Sequence, residues 1–214
     1  MKIPMPRRTL LTLAAGAATL PAFGQPARHV AGTHYDTLPD NALSQQQRDS
    51  AAPLVTEVFW YGCPHCYEFD PLLANWVQEQ GANIAFTRQP AVWDAATRVH
   101  ARLFAATLEL GIHAQVHEAI FSAIHEQRNY LLDDASQLAF LQTQGVSEAA
   151  ANKALRSFQV DSQIRKAESL VRELRVPGIP AMIVQGRYMV KTSNAVRTYG
   201  DVLDVCESLL KLDA

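Results

Sequence analysis

The strand signals of this chain fall into two groups, with about 80 residues of helix-forming sequence between them. "LVTEVFWY" (Leu54–Tyr61) is β-branched and aromatic, and "NIAFTRQPAV" (Asn83–Val92) is a second apolar run punctuated by Pro90. Both read as core strands, with one helix between them. The next strand signal is "AMIV-QG-RYMV" (Ala181–Val190), two apolar runs about a Gln-Gly pair, the pattern of a β-hairpin. The early and late strands read together as one small sheet-and-helix domain. The helical stretch then has to leave that sheet as an insertion. "HYDTLPD" (His34–Asp40) offers a short edge strand before Pro39.

The insertion reads as a bundle. "AATRVHARLFAATLELG" stops at Gly111, "HAQVHEAIFSAIHEQ" places Val116, Ile120, Ala123 and Ile124 on one face, and "DASQLAFLQTQG" stops at Gly145. Ser147 caps "EAANKALRSF", and "DSQIRKAESLVREL" carries Ile164, Ala167, Leu170, Val171 and Leu174 along one stripe. A last helix, "YGDVLDVCESLLKL", closes the chain. The fold class expected is α/β: one small sheet domain from residues 25–92 and 175–214, interrupted by a helical domain over 93–174.

Before all this stands a different segment. Lys2, Arg7 and Arg8 precede the apolar "TLLTLAAGAATL" and the small residues Ala22 and Gly24. That order of charge, apolar run and small residues is a cleavable export signal over 1–24, too short to span a bilayer. Its removal takes Lys+Arg from 19 to 16 against 21 Asp+Glu, so the net charge goes from −2 to −5. An acidic product without a basic aromatic stripe is not built for nucleic acid.

Three cysteines in an exported chain require an account, because disulfides persist in oxidising compartments. Two lie in "YGCPHCYEF", directly after the first strand. Pro64 suits the first turn of a helix, where its missing N–H would be unbonded anyway. Cys63 therefore stands at a helix mouth, where unpaired N–H groups and the helix dipole favour a thiolate. His65 adds donors or charge close by. The expectation is an exposed, acidic Cys63 as nucleophile, and a more buried Cys66 one turn on as its resolving partner. Pro71, farther along, is expected to kink or interrupt the helix.

Three chemistries fit a CxxC. A structural disulfide closing four residues removes little chain entropy. A zinc half-site wants a second pair of ligands, and the sequence has no second CxxC. His113 and His117 have the spacing of a helical metal pair, but lie on a mostly polar helix face where solvated histidines are expected. A redox couple needs nothing further. Neither metal nor cofactor is assigned. Cys206 lies on an apolar helix face and reads as an inert core thiol.

"FWYGCPHCYEF", followed much later by "GIPAMIVQGRYMV", resembles the DsbA-type thiol:disulfide oxidoreductases, over essentially the whole chain after the export signal. The resemblance implies a thioredoxin fold with an inserted helical domain, and a periplasmic dithiol oxidase. Its substrates would be reduced exported proteins, its reoxidation would come from a DsbB-type membrane quinone reductase, and it would act as a monomer. Isomerases of that compartment usually carry an N-terminal dimerisation domain, for which residues 25–52 are too short. A peptide-binding chaperone on the same scaffold is the rival outside redox chemistry. By resemblance, Cys63 is the attacked cysteine and Cys66 its partner, and Pro64 and His65 tune the couple. Pro180 matches the cis-proline facing the sulfurs. Ile179, where the family more often has valine, would offer its backbone to a substrate strand. Glu57, six residues before Cys63, matches a buried acid beneath the site, able to relay a proton to or from Cys66. Asp70 stands where the family often has glutamate.

Overall fold

The computed structural model describes residues 29–39 and 52–212; the export signal expected over 1–24 lies outside them. Among the described residues the sheet has five strands: β1 (Asp36–Thr37), β2 (Leu54–Phe59), β3 (Ala85–Pro90), β4 (Ala181–Val184) and β5 (Tyr188–Val190). Their order is β1-β5-β4-β2-β3. Strands β2 and β3 run parallel, in the register Glu57↔Arg88, while β4 lies antiparallel on the other side of β2 with Glu57↔Met182. The early and late strands thus complete one another, with β2 in the interior. At the β4–β5 turn Gln185 and Gly186 both have positive φ (52° and 61°), the backbone that a tight hairpin turn requires.

Helix α1 (Pro64–Gln80) links β2 to β3, and α7 (Tyr199–Leu210) ends the fold. Phe69, Leu73 and Trp76 of α1 and Val202, Val205 and Leu209 of α7 share one apolar cluster with Val55, Met182, Val184 and Val190 of the sheet. Of the two outcomes expected at Pro71, the interruption does not occur: α1 runs through it as one helix. A proline removes one backbone bond and crowds the preceding turn, but here the turns on both sides are held by fully buried Phe69 and Leu73.

The insertion forms α2 (Ala95–Glu109), α3 (His113–His125), α4 (Asp134–Thr143), α5 (Glu148–Leu155) and α6 (Phe158–Glu173). Each start except that of α3 has a side-chain cap: Asp94 accepts from Thr97 N–H, Asp133 from Ser136, Ser147 from Ala150 and Ser157 from Val160. The Ser157 cap starts α6 at Phe158, ahead of the start read from the sequence. Val171 and Leu174, at the end of α6, pack with Val58, Ala181, Ile183 and Met189 on the second face of the sheet. A further cluster joins Phe59, Tyr61, Cys63 and Cys66 to Phe104, Val116, Ile120 and Phe121. The cysteine turn therefore sits where sheet and inserted helices meet. No helix among the described residues is long and apolar enough to cross a membrane.

Candidate active site

Strand β2 runs out through Trp60-Tyr61-Gly62 into the mouth of α1. A Cβ on Gly62 would lie 2.3 Å from Trp60 Cζ2, so glycine is what lets the indole fold over this link. Cys63 is the N-cap of α1, in extended conformation (ψ 117°), with Pro64 opening the helix. Its own N–H is engaged by Trp60 O at 3.0 Å, and its side chain makes no capping bond. The sulfur is left facing the unpaired N–H groups of the first turn. The Cys63 pKa is lowered to about 6, chiefly by the Cys66 thiol donating to it, then, against the cost of burial, by the backbone N–H groups of Cys66 and His65 and by the charge of His65.

Cys63 is more sheltered than the sequence suggested, with 8% of its surface exposed. It packs into the cluster between sheet and bundle, and its Sγ is 4.0 Å from the carbonyl oxygen of Ile179. The Ile179-Pro180 peptide bond, directly before β4, is cis. His65 projects outward, its side chain 69% exposed and its Nδ1 3.5 Å from Glu68 Oε2. Cys66 is fully buried, and its pKa is raised, first by burial and then by the hydrogen bond it gives to Cys63. One helical turn thus separates a sulfur stabilised as thiolate from one held as thiol.

Beneath them lies Glu57, 1% exposed, on an interior strand and not at a sheet edge. Burial raises its pKa to about 7, against the pull of Arg88. Arg88 Nε donates to Glu57 Oε2 at 2.9 Å, and Arg88 Nη2 donates to Asp70 Oδ1 at 2.7 Å. Glu57 Oε1 is buried with no hydrogen-bond partner among the described residues. For Asp70, burial raises the pKa, but the His117 and Arg88 bonds outweigh it and hold the carboxyl below its usual range. His117 Nε2 lies 3.0 Å from that same oxygen, and His117 Nδ1 lies 2.9 Å from the Tyr61 hydroxyl.

His113 and His117 are thus not a solvated pair, as the polar look of their helix face suggested. His117 is buried and bonded at both ring nitrogens. His113 Nδ1 is 3.1 Å from Thr107 Oγ1, and its ring meets His117 edge-on at 5.0 Å. The docking of α3 against α1 closes off a face that its own sequence leaves polar. His117 reads in the sequence only as a solvated residue or a metal ligand, while Arg88 and Tyr61 escape that reading. Arg88 alone had a signal there, as the one charge inside the second core strand. Cys206 is fully buried within α7, and burial raises its pKa.

Residues 71–204 match the family described as the DSBA-like thioredoxin domain. The chain is 37% identical over 200 residues to the thiol:disulfide interchange protein DsbA of Burkholderia cepacia, an alignment covering 91% of this chain and 92% of the relative. The crystal structure of Pseudomonas aeruginosa DsbA superposes with a TM-score of 0.79 at 29% identity, over 86% of this chain and 94% of that one. That of the oxidoreductase DsbA from Xylella fastidiosa gives 0.78 at 27% identity, over 86% and 97%. An acidic thiol paired with a buried one at a helix mouth, on a thioredoxin fold carrying inserted helices, agrees with these likenesses. This chain belongs to the DsbA-like thioredoxin family and is a protein thiol:disulfide oxidoreductase.

Proposed function

We propose that the protein is a dithiol oxidase of the periplasm, which uses Cys63-Pro64-His65-Cys66 to place disulfide bonds in newly exported proteins. The observation that carries this reading is the place of Cys63 as the N-cap of α1, beside the Cys66 thiol and the N–H groups of the first turn, which lower its pKa to about 6. Stabilising the thiolate stabilises the reduced enzyme, so its disulfide is surrendered readily. Against an ordinary thiol of pKa ~8.5, a value near 6 favours the reduced form by about 1.4 kcal/mol at pH 7, on the order of 30 mV for two electrons.

In the reaction, an extended substrate segment lies along the backbone of Ile179 beside Pro180. A substrate thiolate attacks Cys63 Sγ of the oxidised enzyme. The Cys63–Cys66 bond breaks, its electron pair goes to Cys66 sulfur, and Glu57 relays the proton that Cys66 takes up. The second substrate thiolate then attacks its own partner sulfur in the mixed disulfide, and Cys63 leaves as a thiolate. The substrate is oxidised by two electrons and the enzyme is reduced by two. One substrate proton ends on Cys66 and the other in solvent. A DsbB-type membrane quinone reductase reoxidises the enzyme, which works as a monomer on reduced exported proteins.

The test is equilibration of the Cys63–Cys66 couple with glutathione, alongside oxidation of a reduced dithiol peptide by stoichiometric oxidised enzyme. The peptide should leave with its disulfide formed. A couple as hard to reduce as a structural disulfide, or a peptide left reduced, would sink the oxidase reading and favour a chaperone carrying a closed staple.

A further inference from the structure

A line of buried and part-buried hydrogen bonds leads from the inserted helices to Glu57, and its far half lies outside the chemistry just described. It runs from Tyr61 to His117, from His117 to Asp70, and from Asp70 through Arg88 to Glu57. The direction of each bond follows from the groups themselves. Asp70 beside Arg88 is an ionised acceptor, so His117 Nε2 must carry a hydrogen. Burial keeps the imidazole neutral, which leaves Nδ1 as the acceptor and the Tyr61 hydroxyl as its donor. Tyr61 and His117 are both closed off from solvent, at 1% and 7% exposure. Neighbouring His113 does not compete. The Thr107 hydroxyl gives its hydrogen to Phe104 O at 2.7 Å and so accepts from His113 Nδ1.

We propose that His117, fixed in one tautomer by Tyr61, is a positioning residue for the buried acid: it supports Asp70 so that Arg88 remains shared between Asp70 and Glu57. The coupling is electrostatic. The His117 N–H dipole offsets part of the Asp70 charge. Without it, the bare carboxylate draws Arg88 more strongly and repels Glu57 more. Glu57 then holds its proton to higher pH. A residue of α3, in the inserted helices, thereby sets the proton affinity of a group under the cysteines. The charged or titratable groups facing this line are Cys63 and Cys66 at the Glu57 end and Arg88 and Asp70 in its middle. Tyr61, His113 and Glu118 face it at the His117 end.

This inference rests on Glu57 as the proton relay, and the experiment separates the two. The Glu57 carboxyl is titrated by carbon-13 NMR in the reduced full chain and in three variants. His117→Leu is expected to move the Glu57 inflection upward by about half a pH unit, Tyr61→Phe by less in the same direction, and His117→Gln, which keeps an N–H donor, hardly at all. A merely structural histidine would lower the melting temperature and leave the inflection in place. An unchanged inflection in both His117→Leu and Tyr61→Phe overturns the proposal; if His117→Leu does not fold, Tyr61→Phe alone decides. The relay itself is judged by Glu57→Gln, read as the pH profile of peptide oxidation. An unaltered profile there removes the relay and leaves the positioning of the Glu57 carboxyl to be decided by the NMR titration.

Discussion

The mouth of α1 and the middle of α7 each hold a cysteine with almost no exposed surface, Cys63 at 8% and Cys206 at 0%, yet their thiols are driven in opposite directions. Burial raises Cys206 well above an ordinary thiol, with the charge of Glu207 adding to the effect. Burial also acts against Cys63, but is outweighed by the Cys66 thiol and the backbone N–H groups of the first turn. In mid-helix those N–H groups are spent on carbonyls four residues back; at the N-cap they are not. Burial therefore does not decide whether a cysteine is reactive. Access to unspent donors does, and Cys66, three residues farther in, is already held as a thiol.

Mutation separates the two cysteines most directly. Cys63→Ser is expected to lower peptide oxidation by at least about a thousandfold, because the attacked sulfur is gone. Cys206→Ala should leave the rate within about twofold and cost only about 1 kcal/mol of stability, read by denaturant melts. A Cys206→Ala enzyme with strongly reduced turnover would show that the third cysteine takes part.

Glu57 extends the contrast to the floor of the site. Its folded pKa of about 7 lies above the unfolded carboxylate value, so its proton is favoured by folding. That contribution is complete at acid pH and is lost as pH rises through 7. Relative to Glu57→Gln, the wild type should therefore lose on the order of 3 kcal/mol of unfolding free energy between pH 4.5 and 7.5. Parallel stability curves for the two proteins would contradict a raised pKa.

Alkylation of the reduced protein sharpens the contrast between the sulfurs. At pH 7 a thiol of pKa near 6 is about nine-tenths ionised and an ordinary one about 3%. Cys63 should react with an inflection near pH 6, read by mass spectrometry of the labelled peptides, while native Cys206 stays unlabelled below pH 9. The smallest expected effect is that of His65→Ala. The His65 charge is the last of the influences on Cys63, and the side chain is largely exposed, so the Cys63 pKa should rise by only about half a unit, read by thiolate absorbance.

The part of the site built from neighbours in the chain was legible without the fold. A β-branched strand, a proline at the first helical position and two cysteines one turn apart specify a helix mouth with one sulfur at it, and no distant contact is needed for that. The caps at Asp94, Asp133, Ser147, Ser157 and Thr198 are local in the same way, each bonding an N–H three residues on. The strand pattern likewise contained the insertion, because a sheet split in sequence has to close. Only tertiary structure decided how far Cys63 is sheltered and what surrounds Glu57. The Glu57–Arg88 bond spans 31 positions, His117–Asp70 spans 47 and Tyr61–His117 spans 56. Those pairings depend on the β2–β3 register and on how α3 docks against α1. A helix face that reads as polar in sequence becomes interior once another element covers it, and its histidine then passes from solvent to a fixed hydrogen-bonded role.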